Sequence, residues 1–368
     1  MTPTTANISQ SSIQLYSIYL ELLNVLAEIH ILNDSLFNFR IVNRVSSTLA
    51  YYMDNIEQQT NIPGFSIDAC TGRPMPYFLK HRPKDPHRQR AIAVVVFRNG
   101  KKIKSELVYP VHRNNSASFT EFTKHSEEIL FEEINQLLQK YGAKVRNIFI
   151  YTYYSPCLKR GNKYCDCMTQ LVQKAYQWYR KFGIVTVVYF SEPWGPSGPD
   201  ILKDLKYSDI SSSSSALYPY VDQEIRFIVD TKELKQKNVF PFIKEIEDGK
   251  DEKKKLKEYL ESANKHLCRL RENSKGFLKS QHLEHGLKYI DSLTFHKKVH
   301  KRIIETFKNN WIELVNYCSM SAIIKILTSV YNKAVVKPFL GDSGFLQIYQ
   351  VPSGIEVEEG DYVELDNT

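Results

Sequence analysis

The sequence predicts an α/β fold in three layers, built on a mixed sheet and flanked by helical additions at both ends. Three observations predict it. Ala91 to Phe97 and Ile103 to Val111 read as strands joined at Asn99-Gly100, a hairpin signal because both central positions of a type I′ turn need positive φ. Val145 to Tyr154, Met168 to Phe182 and Ile184 to Phe190 alternate as strand, helix and strand, and such a crossover implies a parallel neighbour. Beyond Asp230 the chain turns to Lys-rich, Glu-containing stretches with helical periodicity. The expected organisation is a helical region over 1–75, a central domain over 76–232 and a helical region with an acidic tail over 233–368.

Composition bounds the rest. At 368 residues the chain has room for two domains, or for one with sizeable additions. A hydrophobic content of 42% with 12% aromatic residues excludes a disordered chain. Six cysteines, three of them within Cys157 to Cys167, do not resemble a secreted disulfide framework, so an intracellular, cytoplasmic or nuclear, location is expected. The net charge of +8 and pI near 8.9 suit a partner that carries phosphates.

In chain order, residues 1–12 are polar, and Ile13 to Leu32 is rich in Leu, Ile and Tyr. Glu21 and Glu28 interrupt it and no basic segment precedes it, so a packing helix is expected rather than a leader or a membrane span. Ser46 to Gln58 reads as a second helix, ended by Asn61-Ile62-Pro63-Gly64. Arg73 to Arg90 mixes prolines with Lys80, Arg82, Lys84, Arg88 and Arg90, either a solvated linker or cations that meet phosphates. After the hairpin, His112 to Thr123 is a polar loop, and a helix runs from about Thr123 to Tyr141, stopped at Gly142, with His125 and Glu127 in its first turn. Val145 to Tyr154 has the continuous apolar character of a strand buried on both faces. Gly183 closes the next helix, a loop with Trp194 follows the next strand, Asp200 to Leu205 starts a short helix, and Glu224 to Val229 supplies a last strand. Helices are expected over Phe242 to Asn273, Ser280 to Leu293 and Phe295 to Asn332. Lys297, Lys298, Lys301 and Arg302 read as a solvated face, with a nucleic-acid track as the rival.

Two short stretches carry chemistry: His125-Ser126-Glu127, and Tyr154-Ser155-Pro156-Cys157 followed by Cys165-Asp166-Cys167. Zinc takes imidazole nitrogen and thiolate sulfur tetrahedrally, and a catalytic site leaves one position open to water. One His and two Cys leave that vacancy, and Glu127 supplies the carboxylate needed to move protons. His-x-Glu alone is a cheap pattern: His282-Leu283-Glu284 also fits, but no Pro-Cys lies downstream of it, and His282 is read as an ordinary helix-surface histidine.

At these residues the chain resembles the AID/APOBEC-like cytidine deaminases, over roughly residues 88–230. The family pattern of His-x-Glu opening one helix and Ser-Pro-Cys preceding the next falls on His125, Glu127, Ser155, Pro156 and Cys157. The sequence departs from it in one place, since Leu158 to Tyr164 widen the gap between the two Cys ligands. Helix periodicity favours Cys167, which has Leu171 and Ala175 at i+4 and i+8, over the rival Cys165, which has Thr169 and Gln173 there.

The resemblance implies a three-layer cytidine-deaminase-like fold and hydrolytic, zinc-dependent deamination of cytosine to uracil in single-stranded DNA or RNA. His125, Cys157 and Cys167 are the implied zinc ligands and Glu127 the implied acid/base. By the same resemblance Tyr154 would line the base pocket, the Ser155 carbonyl would hold the exocyclic amine, Asn114 or Asn115 would hold the sugar, and the Tyr189 to Trp194 segment would meet the neighbouring base. Two other readings share these residues: a free cytidine or deoxycytidine deaminase, and a non-enzymatic binding module with structural zinc. No membrane partner is expected.

Overall fold

The computed structural model describes residues 17–25, 88–113, 121–160, 165–211, 213, 218, 225–230, 241–244, 249–273 and 276–351. Its chain divides into two compact units, one formed by residues 1–201 with 328–368 and the other by residues 202–327.

The first unit is built on a six-stranded mixed sheet. Strand β1 (Ala91–Phe97) pairs antiparallel with β2 (Lys102–Lys104) on one side and with β5 (Val145–Tyr154) on the other. Strand β6 (Val185–Glu192) runs parallel to β5, and β8 (Leu346–Gln350) parallel to β6, with the two-residue β7 (Gly341–Asp342) antiparallel at the edge. The order is therefore β2-β1-β5-β6-β8-β7. A separate ribbon joins β3 (Val111–Arg113) to β4 (Glu121–Lys124). All seven residues of β1 are buried, as in a strand covered on both faces. Helix α2 (Ser126–Tyr141) packs on β1 and β5, and helix α3 (Cys167–Phe182) on β6 and β8. Leu130, Phe131, Ile134 and Leu138 of α2 repeat at helical spacing and are all buried, and burying each such side chain contributes about 1.5–3 kcal/mol. The other sheet face carries Ile92, Val94, Val96, Phe149, Tyr151, Val187 and Tyr189. Residues 17–25 form helix α1, whose Tyr19 stacks on Tyr176 of α3 with ring centroids 4.3 Å apart.

The expected α/β architecture with a mixed sheet is present, and several elements differ in detail. The hairpin turns at Asn99-Gly100, with Gly100 at φ 88°, but its second strand is only three residues long instead of Ile103 to Val111. The ladder breaks where the Ser105 hydroxyl takes the Ala93 N–H in place of a backbone carbonyl (2.9 Å), and Val111 pairs instead with Lys124. That pairing occupies Glu121 to Lys124, so α2 begins at Ser126 rather than Thr123. A 3-10 turn at Gly198–Asp200 and a short helix α4 (Tyr207–Ile210) stand where one helix over Asp200 to Leu205 was expected. Glu224 to Val229 does not complete the sheet: among its described residues Phe227 makes a single bridge to Phe277. The sheet's remaining strands come from 341–350, within the stretch expected to be wholly helical. The predicted helix Ser46 to Gln58 and the acidic Ile355 to Asp366 lie outside the described residues.

In the second unit, α5 (Pro241–Lys244), α6 (Lys250–Asn273), α7 (Lys279–Asp291) and most of α8 (His300–Val336) share a core of Leu256, Leu260, Leu267, Ile290, Ile303, Phe307, Trp311 and Val315. His282 is buried, not a surface residue: its Nε2 lies 3.0 Å from the Phe227 carbonyl, its own carbonyl accepts Trp311 Nε1–H, and burial lowers its pKa. The stretch His300–Phe339 is long and apolar enough to cross a membrane, by length and composition only. Its Ile303, Phe307, Trp311 and Val315 are spent in the helical core. Lys297, Lys298, Lys301 and Arg302 are exposed, with Arg302 5.3 Å from the Phe242 ring.

Candidate metal centre and active site

His125 is the N-cap of α2, in extended backbone, and its N–H donates to Glu128 Oε2 (2.7 Å) three residues on, the reach-back of a capping box. This places His125 and Glu127 at the start of a rigid helix. Strand β5 ends at Tyr154, and Ser155 N–H donates to the Glu192 carbonyl (2.8 Å), so Ser155-Pro156-Cys157 leaves the sheet beside the end of β6. Asp166 caps α3 through Thr169 N–H (2.8 Å), which makes Cys167 the first helical residue, on the face that buries Leu171 and Ala175.

Three ligand atoms converge there. His125 Nδ1 lies 3.6 Å from Cys157 Sγ and 3.3 Å from Cys167 Sγ, and the three atoms lie within 4.8 Å of one another. Tetrahedral zinc with ordinary bond lengths sets ligand atoms roughly 3.5–3.8 Å apart, so this donor set fits that ion. The Cys167 N–H also points at Cys157 Sγ (3.4 Å). Cys165 is exposed and outside the cluster. Hydrogen bonds from Cys167 and then His125 hold the Cys157 thiol down at about 5 against burial. The hydrogen bond to Cys157 raises His125, and Cys167's own hydrogen bond with Cys157, followed by burial, pushes the Cys167 thiol well above the ordinary range.

The widened segment between the cysteines is tied down at its described end. Leu158 is fully buried and its N–H donates to the Gly195 carbonyl (3.1 Å), and Arg160 pairs with Glu128 (2.6 Å). Glu128 also accepts from Gln170 Nε2 (3.2 Å), which in turn reaches the Cys165 carbonyl (2.8 Å). Burial pushes the Glu128 carboxyl up, but Arg160, the His125 N–H and Gln170 outweigh it, and its pKa is lowered. Stability from a depressed carboxylate is present above its unfolded pKa and lost as pH falls through the folded value. Glu128→Gln is expected to cost about 2 kcal/mol at neutral pH, the worth of a charge-assisted bond, and progressively less in acid as the native carboxylate is protonated. Urea unfolding of both proteins between pH 7 and pH 3 checks this.

Glu127 is buried beside the cluster. Its Oε1 accepts from Gln89 Nε2 (2.9 Å), with Thr152 Oγ1 at 3.4 Å, and its Oε2 from Ser126 Oγ (2.9 Å). Burial, then the Cys157 charge, raises its pKa. A cavity of ≈ 440 Å³ opens onto His125, Glu127 and Cys157, a volume in the range of small-ligand pockets. Tyr154, Ser155 and Trp194 line it together with Arg88, Gln89 and Tyr109.

Of the aromatic residues expected here, Tyr154 and Trp194 meet, with ring centroids 4.6 Å apart and an interplanar angle of 59°. The indole also lies against Gly198, where a Cβ would come within 2.7 Å of it. Gly195, at φ 62°, packs on Asn332, whose Nδ2 donates to the Gly198 carbonyl (2.9 Å). Trp194 N–H donates to Ser155 Oγ (2.9 Å), which joins the two loops of the wall. Tyr189 is not at the site: it is fully buried and stacks on Tyr349 on the opposite sheet face, because its position in β6 turns it away from α2. Asn114 and Asn115 lie outside the described residues, as do Lys80, Arg82 and Lys84. Arg88 stands at the cavity, 4.4 Å from the Tyr109 ring, whereas Arg90 is buried against Tyr151 and Tyr153 and is not a groove cation. Sequence reasoning missed Gln89, Thr152, Tyr109 and Asn332, whose partners lie tens of residues away with no spacing pattern to announce them.

Residues 83–224 match the model of a family described as Secreted Novel AID/APOBEC-like Deaminase 3. No curated protein matches the chain. The match corrects the intracellular location expected from cysteine usage, since the family is a secreted one. Cys157 and Cys167 belong to a ligand cluster, so their lack of disulfide pairing carried no information about compartment. With the His-Cys-Cys cluster, the buried glutamate and the mixed sheet in place, the stretch over residues 83–224, less than half of the chain, is similar to the AID/APOBEC-like deaminases.

Proposed function

We propose that the protein deaminates cytosine to uracil hydrolytically in single-stranded nucleic acid, using zinc held by His125, Cys157 and Cys167. The observation that carries this reading is the Glu127 carboxylate, buried beside the ligand cluster on the wall of a cavity that opens to solvent. A zinc ion in that cluster would lend Lewis acidity to water at the cavity floor. Glu127 takes a proton from the attacking water and passes it to ring N3. It then takes the remaining proton from the new C4 hydroxyl and, as the C4–N bond breaks and the C4 carbonyl forms, gives it to the departing amine, so ammonia leaves and the carboxylate is restored. The raised pKa of Glu127 suits this cycle, since a shuttle works best with a pKa near the working pH. Tyr154 and Trp194 offer an aromatic wall for bases, and Ser155 lines the same cavity, where its carbonyl would accept from the exocyclic amine.

Two features favour a polynucleotide over a free nucleoside: Arg88 at the cavity beside Tyr109, and the net charge of +8. The test is conversion of cytosine in single-stranded DNA and RNA oligonucleotides beside cytidine and deoxycytidine, with zinc measured in the same preparation. Oligonucleotide conversion is expected. Two or three phosphate contacts give a log–log dependence of affinity on salt with slope about −1.5 to −2. Conversion of nucleosides alone, insensitive to salt, would move the activity to free nucleosides. Stoichiometric zinc without conversion of any substrate would make the domain a binding module.

A further inference from the structure

Gln89 precedes β1 and had no role in the sequence pattern, yet it is the residue that joins the acid/base glutamate to the sheet. Its Nε2 donates to Glu127 Oε1 (2.9 Å) and to Thr152 Oγ1 (2.8 Å), and its Oε1 accepts the Tyr154 N–H (2.9 Å). The last bond fixes which way the amide faces. A backbone N–H is a donor only, so the carbonyl end must meet Tyr154 and the NH2 end must meet Glu127 and Thr152.

Thr152 is not the rival donor to Oε1. Its hydroxyl lies 2.8 Å from the Tyr154 carbonyl and 3.4 Å from Glu127, and it has one proton, which the shorter contact takes. Glu127 and Thr152 are both buried, and the amide's two hydrogens and its oxygen are all engaged by protein groups. Gln89 lines the cavity with no polar hydrogen left to offer a substrate.

We propose that Gln89 is a positioning residue for Glu127: its amide on Oε1, with the Ser126 hydroxyl on Oε2, fixes the rotation of the carboxylate, so that proton transfer to and from substrate runs through one geometry. The inference rests on the deaminase reading above. With Oε1 held, the carboxylate cannot rotate its two oxygens through the shuttle position, and each turnover begins from one geometry. Positioning of this kind acts on the chemical step more than on binding.

The test uses the full chain with zinc, as Gln89→Met, which keeps length and removes the donor, and Gln89→Glu, which replaces the donor by an acceptor facing Glu127. Both are expected to keep zinc content and to stay folded at the assay temperature, with melting a few degrees earlier from the hydrogen bonds lost to Glu127, Thr152 and Tyr154. Gln89→Met should lower kcat by about 100-fold with KM within about threefold, the scale of a misplaced catalytic group. Gln89→Glu should lower kcat further, because a second carboxylate then faces Oε1. Unchanged kcat in both variants, or a loss confined to KM, would overturn the proposal while leaving the deaminase reading intact. Loss of zinc, or unfolding at the assay temperature, in both variants would overturn it too, by making Gln89 a structural residue. Wild-type protein that holds zinc and converts no cytosine substrate would overturn the underlying reading, and this inference with it.

Discussion

Cys167→Ser is expected to lose zinc, from near one equivalent to under about a tenth, while Cys165→Ser keeps it, because a structural or catalytic zinc site needs its full set of soft and imidazole donors. The two thiols stand two residues apart, yet Asp166 caps α3 between them and divides their environments. Cys167 enters the helix facing His125 and is fully buried, whereas Cys165 stays outside the helix and exposed. Hydrogen bonding holds the Cys157 thiol down at about 5, while His125 and Cys167 are both pushed upward, which favours their protonated forms. Loading zinc must displace those protons, so affinity is expected to rise with pH through the neutral range. Elemental analysis of the three proteins, and competition with a chelating dye between pH 6 and pH 8, check both statements. Zinc retained by Cys167→Ser and lost by Cys165→Ser would transfer the ligand role to the exposed thiol.

The helix-strand-helix-strand run was legible because each element carries its own period and its own stop. Gly183 ends α3 in the left-handed conformation, at φ 71°, where glycine is favoured. Gly142 also marks the end of α2, but for a different reason: its φ is −51°, the chain passes into a 3-10 turn, and a Cβ there would strike the Phe182 ring at 2.6 Å. A stop signal was readable in both cases, its cause only in the structure. What the sequence hid is long-range pairing. Leu346 to Gln350 is a five-residue stretch alternating apolar and polar residues, like many others, and nothing local says that it adds to β6 after a separate helical unit intervenes. Glu224 to Val229 had the better strand composition and lies nearer in the chain, but its described part bonds to Phe277 instead.

The site divides along the same line. His125, Glu127 and Cys157 announce themselves because metal and acid/base chemistry impose residue type and spacing together. Cys167 needed one further step, the helix face, and Trp194 needed the family resemblance. Gln89 and Asn332 are invisible to either method: one amide gains its role from Glu127, 38 residues away, the other from Gly198, 134 residues away. Tyr189 shows the opposite error. The loop after it reaches the cavity, but strand alternation sends Tyr189 itself into the other face of the sheet.

Glu127→Gln separates chemistry from structure most cleanly, and turnover is expected to fall by at least about 10²–10⁴-fold, the contribution of a positioned acid/base group. The amide keeps the shape of the carboxylate, and its carbonyl can still accept from Gln89 as Oε1 does now. Its NH2 cannot take a proton from water or return one to the amine. Zinc content should hold, since none of the three ligand atoms is changed. Stability should hold or rise with pH: a buried carboxylate whose folded pKa is raised contributes stability below its unfolded pKa and loses it as pH rises through the folded value. Removing that carboxylate therefore removes a cost that grows toward neutral and alkaline pH. The expected signature is a variant that binds zinc like wild type, melts no earlier than wild type above pH 7 and turns over cytosine at least about 100-fold more slowly. Retained turnover in such a protein would take the proton-transfer role away from Glu127 and leave the carboxylate as a buried partner of Gln89 and Ser126.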